Sequence, residues 1–403
     1  MLIMGLGAFG GGVGCVSWLL RQDAVVTVTD LRDAGHLEHS LDAIDQHACR
    51  LVLGRHDEKD FLAADLIVVN PAIPRPWSNP LLVAAAKANI PMTTEIALVT
   101  DRLDRSHCIG ITGSAGKSTT ASMTHHLLEA AGHHTMLGGN IGGSLLGSLG
   151  EIRPETWIVL ELSSAQLYWL SQGEGWSPAI AGITNITPNH LDWHEDESQY
   201  RACKMAIGQF QSPGDTLLKP ADCQPLARHI TLPIPGEHNR TNAALAIALA
   251  SAAAPVSAES IGSFAGLPHR LRGIGKHTPP RFFDDSKSTT PEATVLAVQS
   301  FDDMSRVHLI AGGYDKGVSL DAIASLAQQL GGLYTIGATG KHLAVSAGSS
   351  ATFCGTLDAA VAAATERMQD DDVLLLSPGC ASWDQFADYR SRGDAFRRLV
   401  LTV

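Results

Sequence analysis

The segment GITGSAGKSTTASMTHHLLEAAG (residues 110–132) constrains this chain more than any other. A short apolar run, HCIGIT, leads into Gly113 and Gly116, then Lys117 and Ser118, then a stretch with helical spacing of apolar residues. Glycines there let the backbone turn its N–H groups inward, and the start of a helix adds its dipole. A lysine then reaches the β- and γ-phosphates and a hydroxyl meets Mg²⁺. Gly113, Gly116, Lys117, Ser118 and Thr119 are therefore the expected cradle of a nucleoside triphosphate. The usual pattern opens with glycine at position 111, where this chain has Ile111 with Gly110 beside it. A plain glycine turn capping a helix would explain the glycines but not the Lys-Ser pair. Met123, Leu127, Leu128 and Ala131 read as the core face of that helix, and His125 and His126 as its solvated side.

The chain also begins as strand, turn and helix: LIMGLG, VGCVSWLL, then VVTVTD ending in Asp30. Gly5, Gly7 and Gly10 meet the G-x-G-x-x-G pattern and Asp30 supplies the acid at the next strand end, which points to a pyrophosphate or ribose near the helix start. Gly11, Gly12 and Gly14 go beyond what a tight turn needs, and a glycine costs a helix about 1 kcal/mol, so they imply close approach by a ligand or by another element. Short apolar runs alternate with helical stretches along the whole length, the pattern of parallel sheets covered on both faces. At 403 residues, two or three domains are expected, and we divide the chain into three α/β modules at 1–95, 96–266 and 267–403.

The charge balance, 29 Lys+Arg against 41 Asp+Glu, leaves no positive field for a polyanion, which excludes nucleic acid as the expected partner. Seven scattered cysteines without a C-x-x-C pair form neither a disulfide framework nor a zinc site and suit a reducing cytoplasm. The longest apolar helix candidate, AALAIALASAAAPV (243–256), stops at Pro255, too short to span a bilayer, so no membrane insertion is expected.

Beyond the phosphate loop, Glu161 closes the strand WIVLE and His190 follows ITNITPN; strand ends are where α/β sites form, and either could bind Mg²⁺. Read from its own residues, Lys204 in YRACKMAI is a solvated helix position. Further on, FFDDSKSTT carries Asp284, Asp285, Lys287 and Thr289, GGYDKG carries Lys316, and SPGCASWDQF carries Ser377 and Ser382. Each follows a strand of one module, so the three loops are expected on the same side of a parallel sheet.

In order and spacing, GITGSAGKST, GGNIG, ELSSAQL, ITNITPNHLD, YRACK, GEHNRTNAALA, LPHRL, DDSKSTT and SPGCASWDQF resemble the Mur ligase superfamily of ATP-dependent amide-bond synthetases. DDSKST and ASWDQF are similar to its glutamate-adding members in particular. The resemblance implies three domains: a Rossmann-like N-terminal one for the UDP end of the substrate, a central ATPase, and a Rossmann-like C-terminal one for the amino acid. It implies addition of D-glutamate to UDP-N-acetylmuramoyl-L-alanine in the cytoplasm, with ATP and Mg²⁺, by a monomer.

The resemblance also implies residue roles. Asn140 would lie near the phosphates, while Ser118, Glu161, His190 and a carbamylated Lys204 would hold magnesium. Asn239, Asn242, Arg270 and Asp285 would contact ATP. Gly7, Ala8, Phe9, Asp30 and Arg32 would hold the UDP moiety, although NPAIP stands where the family usually has Ser-Pro-Gly. Lys287, Thr289, Lys316, Ser382 and Tyr389 would surround glutamate, with tyrosine where the family more often carries phenylalanine. Another ligase of the superfamily, a folylpolyglutamate-synthase-like enzyme, a nucleotide or UDP-precursor sensor without turnover, and an NAD-dependent oxidoreductase fused to an ATPase are the competing readings.

Overall fold

The computed structural model describes residues 1–7, 10–227, 230–275 and 281–402. The chain forms two compact units, Met1–His229 with Thr241–Ile261 and Ile230–Arg240 with Gly262–Val403. The first unit holds two all-parallel sheets. One runs β3-β2-β1-β4-β5, with β1 (Leu2–Met4), β2 (Val26–Asp30), β3 (Cys49–Leu53), β4 (Ile67–Val69) and β5 (Met92–Thr93). Leu2 and Met4 pack on Phe61, Ile67, Val69 and Leu82 on one face, while Ile3 joins Val16, Leu19 and Val28 on the other, so the strands need no polar alternation. The strand order reverses beside β1, whose carboxyl end feeds the glycine turn; such a reversal is where α/β sheets open a ligand crevice.

The other sheet runs β10-β9-β6-β8-β7, with β6 (Cys108–Thr112), β7 (Thr135–Gly139), β8 (Trp157–Glu161), β9 (Ile180–Ile183) and β10 (Thr216–Leu218). Because β6 is central, its phosphate loop emerges between the ends of β8 and β9. The helix Lys117–Ala130 buries Met123, Leu127 and Leu128 as expected. Ala131, expected in the core, is instead the exposed residue at its C-terminus. His125 and His126, expected in solvent, are half-buried, and the His126 ring donates to the Ser260 carbonyl at 3.1 Å.

The cores of these two sheets are continuous: Leu6, Cys15, Val16 and Leu19 belong to one cluster with Leu145, Leu146, Leu162 and Leu167. That continuity answers the question of the surplus glycines. A Cβ added to Gly12 would collide with the Leu6 carbonyl and one added to Gly14 with the Ser144 side chain, while Gly11 faces open space. Here the close approach is made by the chain's own segments. Gly14→Val should cost about 1–3 kcal/mol by overpacking this junction, read as a lowered Tm; an unchanged Tm would mean that Ser144 yields without strain.

The second unit is a six-stranded sheet, β11-β12-β16-β13-β14-β15, with β11 (Arg272–Ile274), β12 (Phe282–Asp284), β13 (Val307–Gly312), β14 (Gly332–Ile336), β15 (Ala351–Gly355) and β16 (Val373–Leu376). All neighbours are parallel except β11, an antiparallel edge on β12. The loops carrying Lys287, Lys316 and Ser382 leave β12, β13 and β16, which are adjacent, so they converge at one end of the sheet. No described helix is long and apolar enough to cross a membrane.

Candidate active site

The phosphate loop holds its shape through the end of β9. Gly113 and Gly116 have φ of 152° and 82°, conformations that favour glycine. Ser114 N–H donates to the Asn185 carbonyl (2.9 Å) and Ala115 N–H to Asn185 Oδ1 (3.0 Å), while Asn185 Nδ2 returns a bond to the Ala115 carbonyl (3.0 Å). The Thr184 hydroxyl donates to the same carbonyl at 2.5 Å. Lys117 Nζ folds back onto the loop, donating to the Gly113 and Ser114 carbonyls at 2.9 and 3.1 Å. Ser118 is buried on the first turn of the helix and Thr119 half-buried beside it. A Cβ on Gly116 would lie 2.6 Å from Asn242 Oδ1, which places that amide against the loop.

Two buried ionisable groups lie at the neighbouring strand ends. Glu161 is 2% exposed; its Oε1 accepts from Asn140 Nδ2 at 3.0 Å, while its Oε2 has no partner among the described residues. A buried carboxylate oxygen left unpaired is costly, which suits a cation at that position. Lys204 is also 2% exposed, which overturns the solvated-helix reading of its own residues. Its Nζ donates to Thr112 Oγ1 at 3.2 Å and lies 5.3 Å from the centre of the Tyr200 ring. Burial, reinforced by the charge of Lys117 and opposed by Glu161, pushes its pKa down to about 7, so half of it is a neutral amine at that pH. His190 takes φ of 53°, unusual for a non-glycine residue. Desolvation holds its imidazole below the usual value against the pull of Asp192, with Lys117 and Lys204 adding to the effect. Among the described residues no group of three or more His, Cys, Asp or Glu side chains is gathered as a ready metal site.

In the first sheet Gly5, Gly7 and Gly10 all have positive φ. Asp30 closes this turn, accepting from Gly7 N–H at 3.3 Å and from Arg32 N–H at 2.9 Å, and it pairs with the Arg32 guanidinium at 3.3 Å. Ala8 and Phe9 lie outside the described residues. Asn70, of NPAIP, braces the turn by donating to the Gly5 carbonyl at 3.1 Å.

In the second unit Asp285 is buried, accepting from Leu271 N–H (3.1 Å) and the Ser377 hydroxyl (2.8 Å), and burial pushes its pKa up to about 7 against those bonds. Arg270 sits between His269 and Leu271, which take φ of 60° and 45°. The His269 ring meets Asp284 at 2.7 Å and its carbonyl accepts from Lys287 N–H at 3.1 Å, joining LPHRL to DDSKS. Lys316 Nζ donates to the Thr289 carbonyl at 3.4 Å, and both residues line a cavity of about 270 Å³ with Tyr314, Thr339 and Cys380. Ser382 is buried at the end of the third loop. Asn239 donates to the Pro235 carbonyl at 2.6 Å.

Sequence reading missed several residues that shape these sites. Asn185 and Thr184 buckle the phosphate loop, and the signal was a polar pair ending an apolar strand. Tyr200 meets the Ser114 hydroxyl at 2.8 Å. Arg392, 1% exposed, had no signal at all: Nε donates to Ser286 Oγ (3.0 Å), Nη2 to the Ser286 and Cys380 carbonyls (2.9 and 3.1 Å), and Nη1 to the Ala381 carbonyl (3.2 Å). One buried guanidinium thus ties the Lys287 loop to the Ser382 loop, and burial pushes its pKa down to about 10.

A phosphate loop at the centre of a parallel sheet, with a buried carboxylate and a near-neutral lysine beside it, defines a nucleotide-using α/β enzyme. Sequence comparison agrees along the chain. Residues 1–94 match the Mur ligase MurD-like N-terminal domain, 111–229 the Mur ligase middle domain and 269–380 the Mur ligase glutamate ligase domain. Proteins named UDP-N-acetylmuramoylalanine--D-glutamate ligase from Zymomonas mobilis and Roseiflexus are 35% and 34% identical, covering 98% and 99% of this chain and 96% and 97% of their own. Among solved structures, UDP-N-acetylmuramate-alanine ligase MurC from Thermotoga maritima shares the fold with a TM-score of 0.57 at 18% identity, over 100% of this chain and 99% of that one. MurF ligase from Thermotoga maritima does so with a TM-score of 0.54 at 14% identity, over 94% and 96%. The chain belongs to the Mur ligase family.

Proposed function

We propose that this protein joins D-glutamate to UDP-N-acetylmuramoyl-L-alanine, converting ATP to ADP and phosphate, as a cytoplasmic step of peptidoglycan-precursor synthesis. The observation that carries the reading is the grouping of Lys117, Glu161 and Lys204 at the central sheet, in a chain similar over its whole length to ligases of that name. A free carboxylate is a poor electrophile at neutral pH, so it must first be activated. The γ-phosphoryl group passes to a terminal carboxylate oxygen of the alanyl substrate and ADP leaves. The glutamate amine attacks the carbonyl carbon of this acyl phosphate, and the tetrahedral intermediate expels inorganic phosphate as the amine loses its proton.

Lys117 would exchange its loop carbonyls for the transferred phosphoryl oxygens, and the loop N–H groups would hold the phosphates. Magnesium, held by Ser118, Glu161, His190 and carbamylated Lys204, would spread the charge of that group. The near-neutral Lys204 amine is suited to the modification: its nitrogen bonds the carbon of CO₂, one proton leaves to solvent, and a carboxylate results. Asn140 keeps Glu161 Oε1 occupied, and so orients Oε2. Asn239, Asn242, Arg270 and Asp285 would serve ATP; Gly7, Asp30 and Arg32 would serve the UDP end; Lys287, Thr289, Lys316, Ser382 and Tyr389 would serve glutamate. In the division at 1–95, 96–266 and 267–403 the UDP residues fall in the first module and the glutamate residues in the third, while the ATP residues are shared between the second and third.

Phosphate release measured with each UDP-muramoyl substrate crossed against D-glutamate, L-glutamate, L-alanine and diaminopimelate tests the reading. It fails if D-glutamate is not the preferred amino acid. Lys316→Met should raise the KM for glutamate by roughly tenfold or more, because it removes a cation from a site that must pair two carboxylates. The KM for ATP should stay within twofold; movement of the ATP constant instead would remove Lys316 from the amino-acid site.

A further inference from the structure

At the N-terminus of the helix Tyr389–Val400, Arg390 stands against two of the glutamate residues, Tyr389 and Lys287, yet has no role above. The Tyr389 hydroxyl accepts from Arg390 Nε at 3.3 Å, and the Arg390 guanidinium stands 5.6 Å from the centre of the Tyr389 ring. On the same ring, Lys287 Nζ lies 5.3 Å from the centre. Arg390 is exposed and makes no ion pair among the described residues. Its two terminal nitrogens therefore remain available as the planar fork that fits a carboxylate.

Of the nearby acids, Asp388 is the one whose charge acts on Arg390. Asp388 Oδ1 caps the helix, accepting from Ser391 N–H at 2.7 Å and Ser391 Oγ at 2.9 Å. Asp284 and Asp394 face His269, at 2.7 and 4.0 Å. The patch is also fastened to the glutamate loops: the Ser286 hydroxyl donates to the Tyr389 carbonyl at 2.7 Å, and Arg392 ties Ser286 to Cys380 and Ala381. The phenol group is bonded by both Arg390 and Lys287, so the two cations converge on it. Burial alone would raise the Tyr389 pKa, but the bonds and charges of Arg390 and Lys287 outweigh it and lower it.

We propose that Arg390 is a further substrate-binding residue: its guanidinium, held in place by the Tyr389 hydroxyl, forms with Lys287 a second carboxylate station beside the Lys316 cavity, and it takes one of glutamate's two carboxylates. The inference rests on the glutamate-ligase reading. It explains why tyrosine serves at position 389, since phenylalanine would leave the Arg390 Nε without its anchor.

Steady-state kinetics of Arg390→Met, Arg390→Lys and Tyr389→Phe, with folding checked by circular dichroism, test it. Arg390 is exposed and the tyrosine change is isosteric, so all three should fold. Arg390→Met is expected to raise the KM for glutamate about tenfold with kcat within threefold and the KM for ATP unmoved. Arg390→Lys should recover part of the loss, and Tyr389→Phe should raise the glutamate KM less than Arg390→Met does. If the wild type ligates glutamate and Arg390→Met leaves its KM within twofold, or if kcat falls with KM unmoved, the inference is overturned while the ligase reading stands. A wild type that forms no product with glutamate overturns both.

Discussion

Replacing Lys117 by alanine should lower phosphoryl transfer at least about 100-fold, the scale of losing one preorganised charge at the transferring group. The side chain bonds the Gly113 and Ser114 carbonyls of its own loop, and the loop is separately held by Thr184 and Asn185. The fold should therefore survive, with Tm within a few degrees of wild type. Phosphate release under saturating substrates measures the first effect and thermal unfolding the second. Turnover within tenfold of wild type would show that the phosphate-loop assignment is wrong.

Lys204→Ala should abolish turnover, and acetate should restore part of it by supplying the missing carboxylate. Full activity of Lys204→Ala in CO₂-depleted buffer would overturn the carbamate. The same lysine makes a separate prediction about stability. Its amine titrates near 7 in the folded chain and near the ordinary 10.5 when unfolded, so across that interval the unfolded chain binds more protons. Stability therefore rises with pH from about 7 to 10.5 and is lost as pH falls through the same range; below about 7 the group contributes no further slope. Lys204→Met lacks this term. In CO₂-depleted buffer its Tm should exceed that of wild type at pH 7.5, and the gap should narrow towards pH 10. Parallel Tm curves for the two proteins would mean that Lys204 does not titrate abnormally.

Local pattern carried far in this chain. The β6 strand, Gly113, Gly116 and the Lys-Ser pair are consecutive residues whose chemistry depends on the backbone between them, so the phosphate loop was readable without tertiary information. The same holds for the glycine turn at Gly5–Gly10, and for apolar strands covered on both faces, because a doubly covered sheet requires uninterrupted apolar runs. The order of three polar loops after three strands likewise put Lys287, Lys316 and Ser382 at one end of one sheet.

Burial was the quantity that local pattern could not supply. Lys204 looks like any helical lysine in YRACK, and its near-neutral amine arises only because folding buries it against Tyr200, one turn earlier, and Thr112, 92 residues away in sequence. Gly14 is a wasteful helix residue until Ser144 is packed against it. Arg392 reads as one more charge in a basic, exposed helix, yet it is the buried pin between two loops, because its turn of the helix faces the sheet. In each case the residue's neighbours are set by strand order and helix packing, which arrange distant segments, and desolvation then fixes its charge state and its use.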